Sequence, residues 1–146
     1  MADAVLRGAS SEQAIQAHLV RASDAKATDV LEADGYVFVT PENLAAMSGL
    51  MKDFFDRTYY AALDRISGRP YATLVCAGSD GQNAVRQVER ICTGWRLKAV
   101  CDPIIVCTHA QTPEAILASK TIGPEDLRRC EETGAAIATG LALGVF

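Results

Sequence analysis

Short runs of consecutive apolar residues alternate along this chain with longer stretches in which apolar residues recur every three or four positions. The runs at residues 16–22, 35–40, 71–77 and 103–108 read as β-strands. Leu50, Met51, Phe54, Phe55, Tyr59, Ala62 and Leu63 form one helical stripe, and Val85, Val88, Ile91, Cys92 and Trp95 form another. A last helix opens at Pro124, with Glu125 and Asp126 complementing its dipole. It places Leu127, Cys130, Gly134, Ile137 and Leu141 on one face, where Gly134 is expected to let it approach the sheet closely. Strands alternating with helices predict βαβ units, a parallel sheet and helices on both of its faces, an α/β fold. Residues 36–39 and 74–76 are apolar without alternation, as internal strands are, whereas Pro103 cannot donate to a ladder and puts the last strand at an edge. His18 and Arg21 make the first run an edge candidate too.

Length and composition narrow the picture. A chain of 146 residues is enough for one domain with one core, and neither an internal repeat nor a Pro/Gly/Ser linker divides it. Apolar residues at 49% and charged residues at 22% describe a chain that folds. With 14 basic against 18 acidic side chains, the net charge of −4 argues against a nucleic-acid partner. No apolar run reaches membrane-spanning length and no signal-peptide core follows Met1, so a cytoplasmic protein without a membrane span is expected. The cysteines, Cys76, Cys92, Cys101, Cys107 and Cys130, are odd in number and set among apolar neighbours, which reads as reduced thiols. Cys107-x-His109 is the nearest approach to a metal-ligand spacing, and no metal is expected.

In an open parallel sheet, ligands bind past the carboxyl ends of the strands, where diverging loops leave a crevice. That rule selects residues 40–49 and 77–82, each short, polar or small, and each leading into a helix whose first amides are free to meet carbonyl oxygens, anionic rings or phosphates. Gly78, Ser79, Asp80 and Gly81 are equally ordinary turn and capping residues, and the loops alone leave both readings open.

Taken together, the segments DGYVFVTP (34–41), MSGLMKDFFDR (47–57) and LDRISGRPYATLVCA (63–77) resemble the flavodoxin-like NAD(P)H-dependent FMN reductases and quinone reductases. The resemblance rests on Asp34-Gly35, Thr40-Pro41, Ser48-Gly49, Lys52, Phe54 or Phe55, Asp56-Arg57 and Gly68-Arg69-Pro70, occurring in that order. It implies a doubly wound parallel sheet in the family order 2-1-3-4-5, with FMN at the sheet edge. Thr40, Pro41, Glu42, Asn43, Leu44, Ala45 and Ala46 would then lie along the flavin ring, with Ser48 and Gly49 at the helix that follows. Ala77, Gly78, Ser79, Asp80, Gly81 and Gln82 would line its other side. No side chain is expected to be catalytic. The flavin would carry a hydride from NAD(P)H to a quinone or a similar small-molecule acceptor, while donors near its pyrimidine edge stabilise the reduced anion.

The family pattern also opens with a strand and a Ser/Thr/Gly-rich loop that cradles the FMN phosphate, and residues 1–8, carrying Ala4, Val5 and Leu6, match the second half of the helix after that loop. The chain is therefore expected to lack the first strand of the sheet and the phosphate loop. The strands at 16–22 and 35–40 would have unpaired inner edges, which points first to a start assigned late or a shortened chain, and otherwise to a gap closed by pairing the two strands or by oligomerising. FMN would bind this chain weakly or not at all, because forgoing about four charge-assisted hydrogen bonds costs at least a thousandfold in affinity, and would bind a form that carries the loop. Arg57 and Arg69 are candidates for an NADP 2′-phosphate, while Lys52 and Arg57 otherwise read as solvated or ion-paired. His109 reads as a surface residue, Cys76 and Cys107 as small hydrophobes, and Trp95 as core. Thr112-Pro113-Glu114 starts a short helix within residues 110–123, a segment suited to a lid or a dimer contact. Two rival readings are a flavodoxin-type electron carrier, disfavoured by the modest acidity, and a flavin-free α/β association module.

Overall fold

Strands that are apolar on both sides need cover on both faces, and the chain supplies it with helices. In chain order the computed structural model, which describes residues 1–146, contains α1 (Ala2–Ala9), α2 (Ala27–Glu32), β1 (Tyr36–Asn43), β2 (Ala46–Met47), α3 (Gly49–Ala62), β3 (Pro70–Ala77), α4 (Gln82–Gly94), β4 (Lys98–Ala99), β5 (Ile104–Cys107), α5 (Pro113–Leu117) and α6 (Pro124–Ala142). The central strand is β3, buried along its length except at Cys76. It pairs parallel with β1 on one side, Tyr36 opposite Tyr71 through Pro41 opposite Cys76. On the other side it pairs parallel with β4 and then β5. β5, entered from Pro103, bonds only to β3 and is an edge, as its proline predicts.

One face of the sheet carries an aromatic cluster. Phe38 and Tyr71 meet Phe54 and Phe55 of α3, and the Phe55 ring centroid lies 5.4 Å from that of Trp95. Trp95 is fully buried, stacks on Tyr59 and donates its indole N–H to the Tyr59 carbonyl at 2.9 Å. The stripe in α3 therefore faces inward, and Ser48 caps that helix by accepting the Met51 N–H at 3.2 Å. The opposite face packs Ala72, Leu74, Ile104 and Val106 against Ala4 and Val5 of α1 and Cys130 and Ile137 of α6. Within β3, the buried Thr73 hydroxyl has no hydrogen-bond partner, which costs roughly 1–3 kcal/mol.

The structure departs from the sequence reading at four places. Residues 16–22 form no strand, and Leu19 and Val20 are 49% and 45% exposed. A strand exists only where a neighbour completes its ladder. Here β1 is joined on its far side only by β2, at Glu42 and Asn43, and the Ala22 carbonyl is taken by the Arg57 guanidinium instead. The two runs expected to share an unpaired gap thus do not pair with each other. Gly134 faces α1 rather than the sheet: a Cβ there would lie 2.1 Å from the Val5 carbonyl oxygen, and one on Gly8 would lie 1.8 Å from that of Glu131. The two helices share one layer, and α6 turns Cys130 and Ile137 to the sheet. Helix α2 has only one buried residue, Val30, and its N-terminal turn is held by Asp29, whose carboxylate accepts the Lys26 N–H at 2.7 Å. Such a helix leaves no apolar stripe to read. The dipeptide strands β2 and β4 are likewise too short to carry a pattern.

Candidate functional site

The carboxyl ends of β1, β3 and β5 converge at one rim of the sheet. The segment from Thr40 to Gly49, expected to be an open loop, is a tight hairpin instead. β1 continues to Asn43, pairs Glu42 with Met47 and Asn43 with Ala46, and turns through Leu44 and Ala45, whose φ angles are 51° and 58°. A two-residue turn with both central residues at positive φ matches the twist of the flanking strands, but it is ordinarily made by Asn-Gly. Leu44 and Ala45 adopt it at a cost of order 1 kcal/mol each, and the Leu44 side chain is fully exposed.

Helix α4 holds this strained hairpin in place. The Asn83 amide donates to the Ala45 carbonyl at 2.6 Å, and the Gln87 amide oxygen accepts the Met47 N–H at 2.9 Å. At the root of the hairpin, buried Thr40 accepts the Ser48 N–H at 3.2 Å and its hydroxyl contacts the Ser48 hydroxyl at the same distance. Glu42 then reaches across to the next loop, where its carboxylate accepts the Gly81 N–H at 3.0 Å. Asn83 and Gln87 escaped the sequence reading, although their spacing of four on a helix puts both on one face. Nothing in the sequence could have tied Glu42 to Gly81.

The fifteen residues singled out in the sequence lie together at this rim, in distinct settings. Thr40 is buried; Pro41, Asn43, Leu44 and Ala45 are exposed; Glu42 and Ala46 are half-buried. Ser48 is the N-cap of α3 and Gly49 its first residue. Ala77 ends β3, buried, with its carbonyl accepting both the N–H and the hydroxyl of Thr108. Gly78 is half-buried, Ser79 and Asp80 are exposed, and exposed Gln82 opens α4. Gly81 is the N-cap of α4 at φ 81°, and a Cβ there would lie 2.8 Å from Ile105, so only glycine fits. The N–H groups of Gly78, Ser79 and Asp80 donate to nothing in the chain, leaving three consecutive unpaired donors beside the hairpin. The loop after β5 adds exposed His109, held at φ 55°.

Other candidates fall elsewhere. Arg57 pairs with Asp53 at 2.7 Å and donates to the carbonyls of Ala25 and Ala22. Arg69 donates to the carbonyls of Leu31 and Ala33 at the end of α2, and to the Tyr36 hydroxyl. Both guanidinium groups are consumed in tying the segment before β1 to the body, which removes them as candidates for a nucleotide phosphate. Lys52 is paired with Asp56 at 2.5 Å, as the sequence reading has it. Burial pushes the Cys76 thiol up, so it is a protonated, unreactive group at the end of β3. All five cysteines are free thiols, and no helix is long and apolar enough to cross a membrane.

Comparison with known proteins places this architecture. The structure of a flavodoxin from the domain Archaea superposes with a TM-score of 0.74 at 16% identity, covering 96% of this chain and 87% of that one. The flavodoxin, WrbA-like protein from Agrobacterium tumefaciens superposes with a TM-score of 0.70 at 15% identity, over 97% and 87% of the two chains. The flavodiiron protein from Giardia intestinalis gives 0.76 at 17% identity over 97% of this chain, which spans only 32% of that longer one. The fold is therefore flavodoxin-like, with β1, β3 and β5 in the order of the third, fourth and fifth strands of the 2-1-3-4-5 sheet. No curated protein sequence matches the chain. The NADPH-dependent FMN reductase family matches it over residues 10–111, well over half its length. By that match, the chain belongs to the NADPH-dependent FMN reductase family.

Proposed function

We propose that this protein is an FMN-dependent oxidoreductase that takes a hydride from NAD(P)H and delivers two electrons to a quinone or a similar small acceptor. The observation that carries the reading is the row of unpaired N–H groups at Gly78, Ser79 and Asp80, next to a hairpin fastened at the same rim. These residues fit the pyrimidine edge of a flavin ring, whose carbonyl oxygens and ring nitrogens need donors and no bulky neighbours. The flavin, when bound, supplies the hydride-accepting atom and the onward electron transfer. The chain's part is to position and polarise. Gly78, Ser79 and Asp80, whose N–H groups are unpaired, would hold the pyrimidine edge and favour the reduced anion. Pro41 to Ala46 would line one side of the ring, and Glu42 fixes the spacing of the two loops through Gly81. No side chain at the rim is asked to move a proton.

Titration of the purified chain with FMN, followed by flavin fluorescence quenching, and then of NAD(P)H oxidation with a soluble benzoquinone, tests this. Weak but saturable quenching, with NAD(P)H consumption in the absence of any other protein, is the expected result, and the flavin affinity should rise at least a thousandfold in a form that carries a phosphate loop. Flavin that binds but is reduced only by a separate reductase protein would make the chain an electron carrier. Failure of the loop-bearing form to bind flavin would leave an association module and overturn the proposal.

A further inference from the structure

The sheet ends on β5 at one side and, short of the hairpin, on β1 at the other, and the two edges are built differently. β5 is four residues long and is entered from Pro103, both of which blunt an edge against other strands. β1 is eight residues long, and from Gly35 to Pro41 the chain carries no charged side chain. Successive residues of a strand in a parallel ladder direct their N–H and C=O groups alternately to its two sides. The Tyr71 carbonyl accepts from Val100 and the Ala77 carbonyl from Thr108, so these residues of β3 face β4 and β5, while Ala72 and Leu74 face β1. Ala72 and Leu74 stand opposite Val37 and Val39 and therefore bond to the residues on either side of them. The N–H and C=O groups of Val37 and Val39 point the other way, where β2 joins only at Glu42 and Asn43, and they pair with nothing in the chain.

A second set of unpaired backbone groups lies in the same chain. No backbone group from Gln16 to Val20 makes a hydrogen bond, and Leu19 and Val20 are both exposed. Within one copy the end of this run is held to α3 by the Arg57 guanidinium, which takes the carbonyls of Ala22 and Ala25. Charge matches the two sets to each other: residues 13–23 contain His18 and Arg21 and no acid, whereas residues 34–43 contain Asp34 and Glu42 and no base. Neither Arg21 nor Asp34 holds an ion pair inside the chain. We propose that this protein forms a two-fold dimer in which residues 16–20 of each copy add as a strand to the free edge of β1 in the other. Val37 and Val39 gain the donors and acceptors they lack, and the exposed Leu19 and Val20 pass into a sheet that is apolar on both faces. Because each copy gives one strand and receives one, the exchange closes on itself and leaves neither set unpaired.

Sedimentation velocity of the full chain over a range of concentrations, with amide hydrogen exchange read residue by residue by NMR, tests this. A concentration-dependent dimer is expected, in which the amides of Val37 and Val39 become protected together with those of residues 16–20. Leu19→Glu/Val20→Glu alters only exposed positions and should raise the dimer dissociation constant about tenfold or more, with the monomer still folded. Val37→Pro removes one outward donor and keeps the ladder to β3, to which Phe38 and Thr40 donate, and should weaken the dimer in the same way. A chain that stays monomeric at every concentration, a dimer whose Val37 and Val39 amides exchange as fast as in the monomer, or a dimer of full affinity in both variants would each overturn the proposal. A monomer that protects those amides only on adding a peptide copying residues 70–77 would overturn it too, by making the edge a docking site for another polypeptide.

Discussion

Two contacts in this protein bring backbones unusually close, and they do so by opposite means. Where α1 crosses α6, the closeness comes from having no side chain at all: Gly8 and Gly134 each face a carbonyl oxygen of the other helix, and both are buried. Where the β1–β2 hairpin lies on α4, the closeness comes from polar side chains, with Asn83, Gln87 and Glu42 each bonded to a backbone group. The first contact has no adjustable part. The second is half-exposed, carries two non-glycine residues at positive φ, and leaves neighbouring amides unpaired. Binding sites are drawn from regions of the second kind, because a ligand can there trade one set of hydrogen bonds for another.

The comparison breaks most sharply at Gly134. Gly134→Ala would put a methyl group against the Val5 carbonyl, a backbone atom with no rotamer to turn away, and should destabilise the chain by about 2–3 kcal/mol in urea denaturation. A loss below about 1 kcal/mol would mean that α1 slides easily over α6, and the contrast drawn here would fail. The hairpin should respond with the opposite sign. Leu44→Asn combined with Ala45→Gly removes the left-handed strain and should stabilise by about 1 kcal/mol by the same measurement, with the site geometry retained. Destabilisation would show that the Leu44 side chain does something its full exposure conceals.

A third effect concerns alkali and belongs to the buried α3/α4 face rather than to the rim. Burial pushes the Tyr71 phenol up to about 12 and pushes the Cys92 thiol well up too, so both stay protonated in the folded chain. In the unfolded chain they ionise near their ordinary values, about 10 and 8.5. The unfolded state therefore holds fewer protons above those values, and stability that is complete below about pH 8.5 declines as the pH rises toward 12. Tyr71→Phe should flatten the part of that decline between about pH 10 and 12, read from urea midpoints as a function of pH. A curve identical to that of the unaltered chain would show that the phenol reaches water.

How much was legible follows the same division. The stripes in α3, α4 and α6 were readable because each buries several residues at helical spacing, and β1 and β3 because both of their faces are covered. Residues 16–22 carried the same kind of apolar run and formed no strand, because a run states a preference and a ladder needs a neighbour. Both rim loops were found from their place after strands and before helices. What fastens them was not, since Glu42 and Gly81, or Ala45 and Asn83, are almost forty positions apart and their bonds leave no local mark.

The amino-acid order alone determined the α/β layering, the central place of the strand ending at Ala77, the edge place of the one after Pro103, and which loops lie past the strand ends, because burial and backbone restrictions act within a few residues. Tertiary structure alone decided that Gly134 meets a helix and that Arg57 and Arg69 are spent on carbonyls. It also decided that Glu42 reaches across the rim to the Gly81 N–H. Whether a polar group finds a partner depends on what the rest of the chain brings within about 3 Å of it, and no pattern of neighbours in sequence carries that distance.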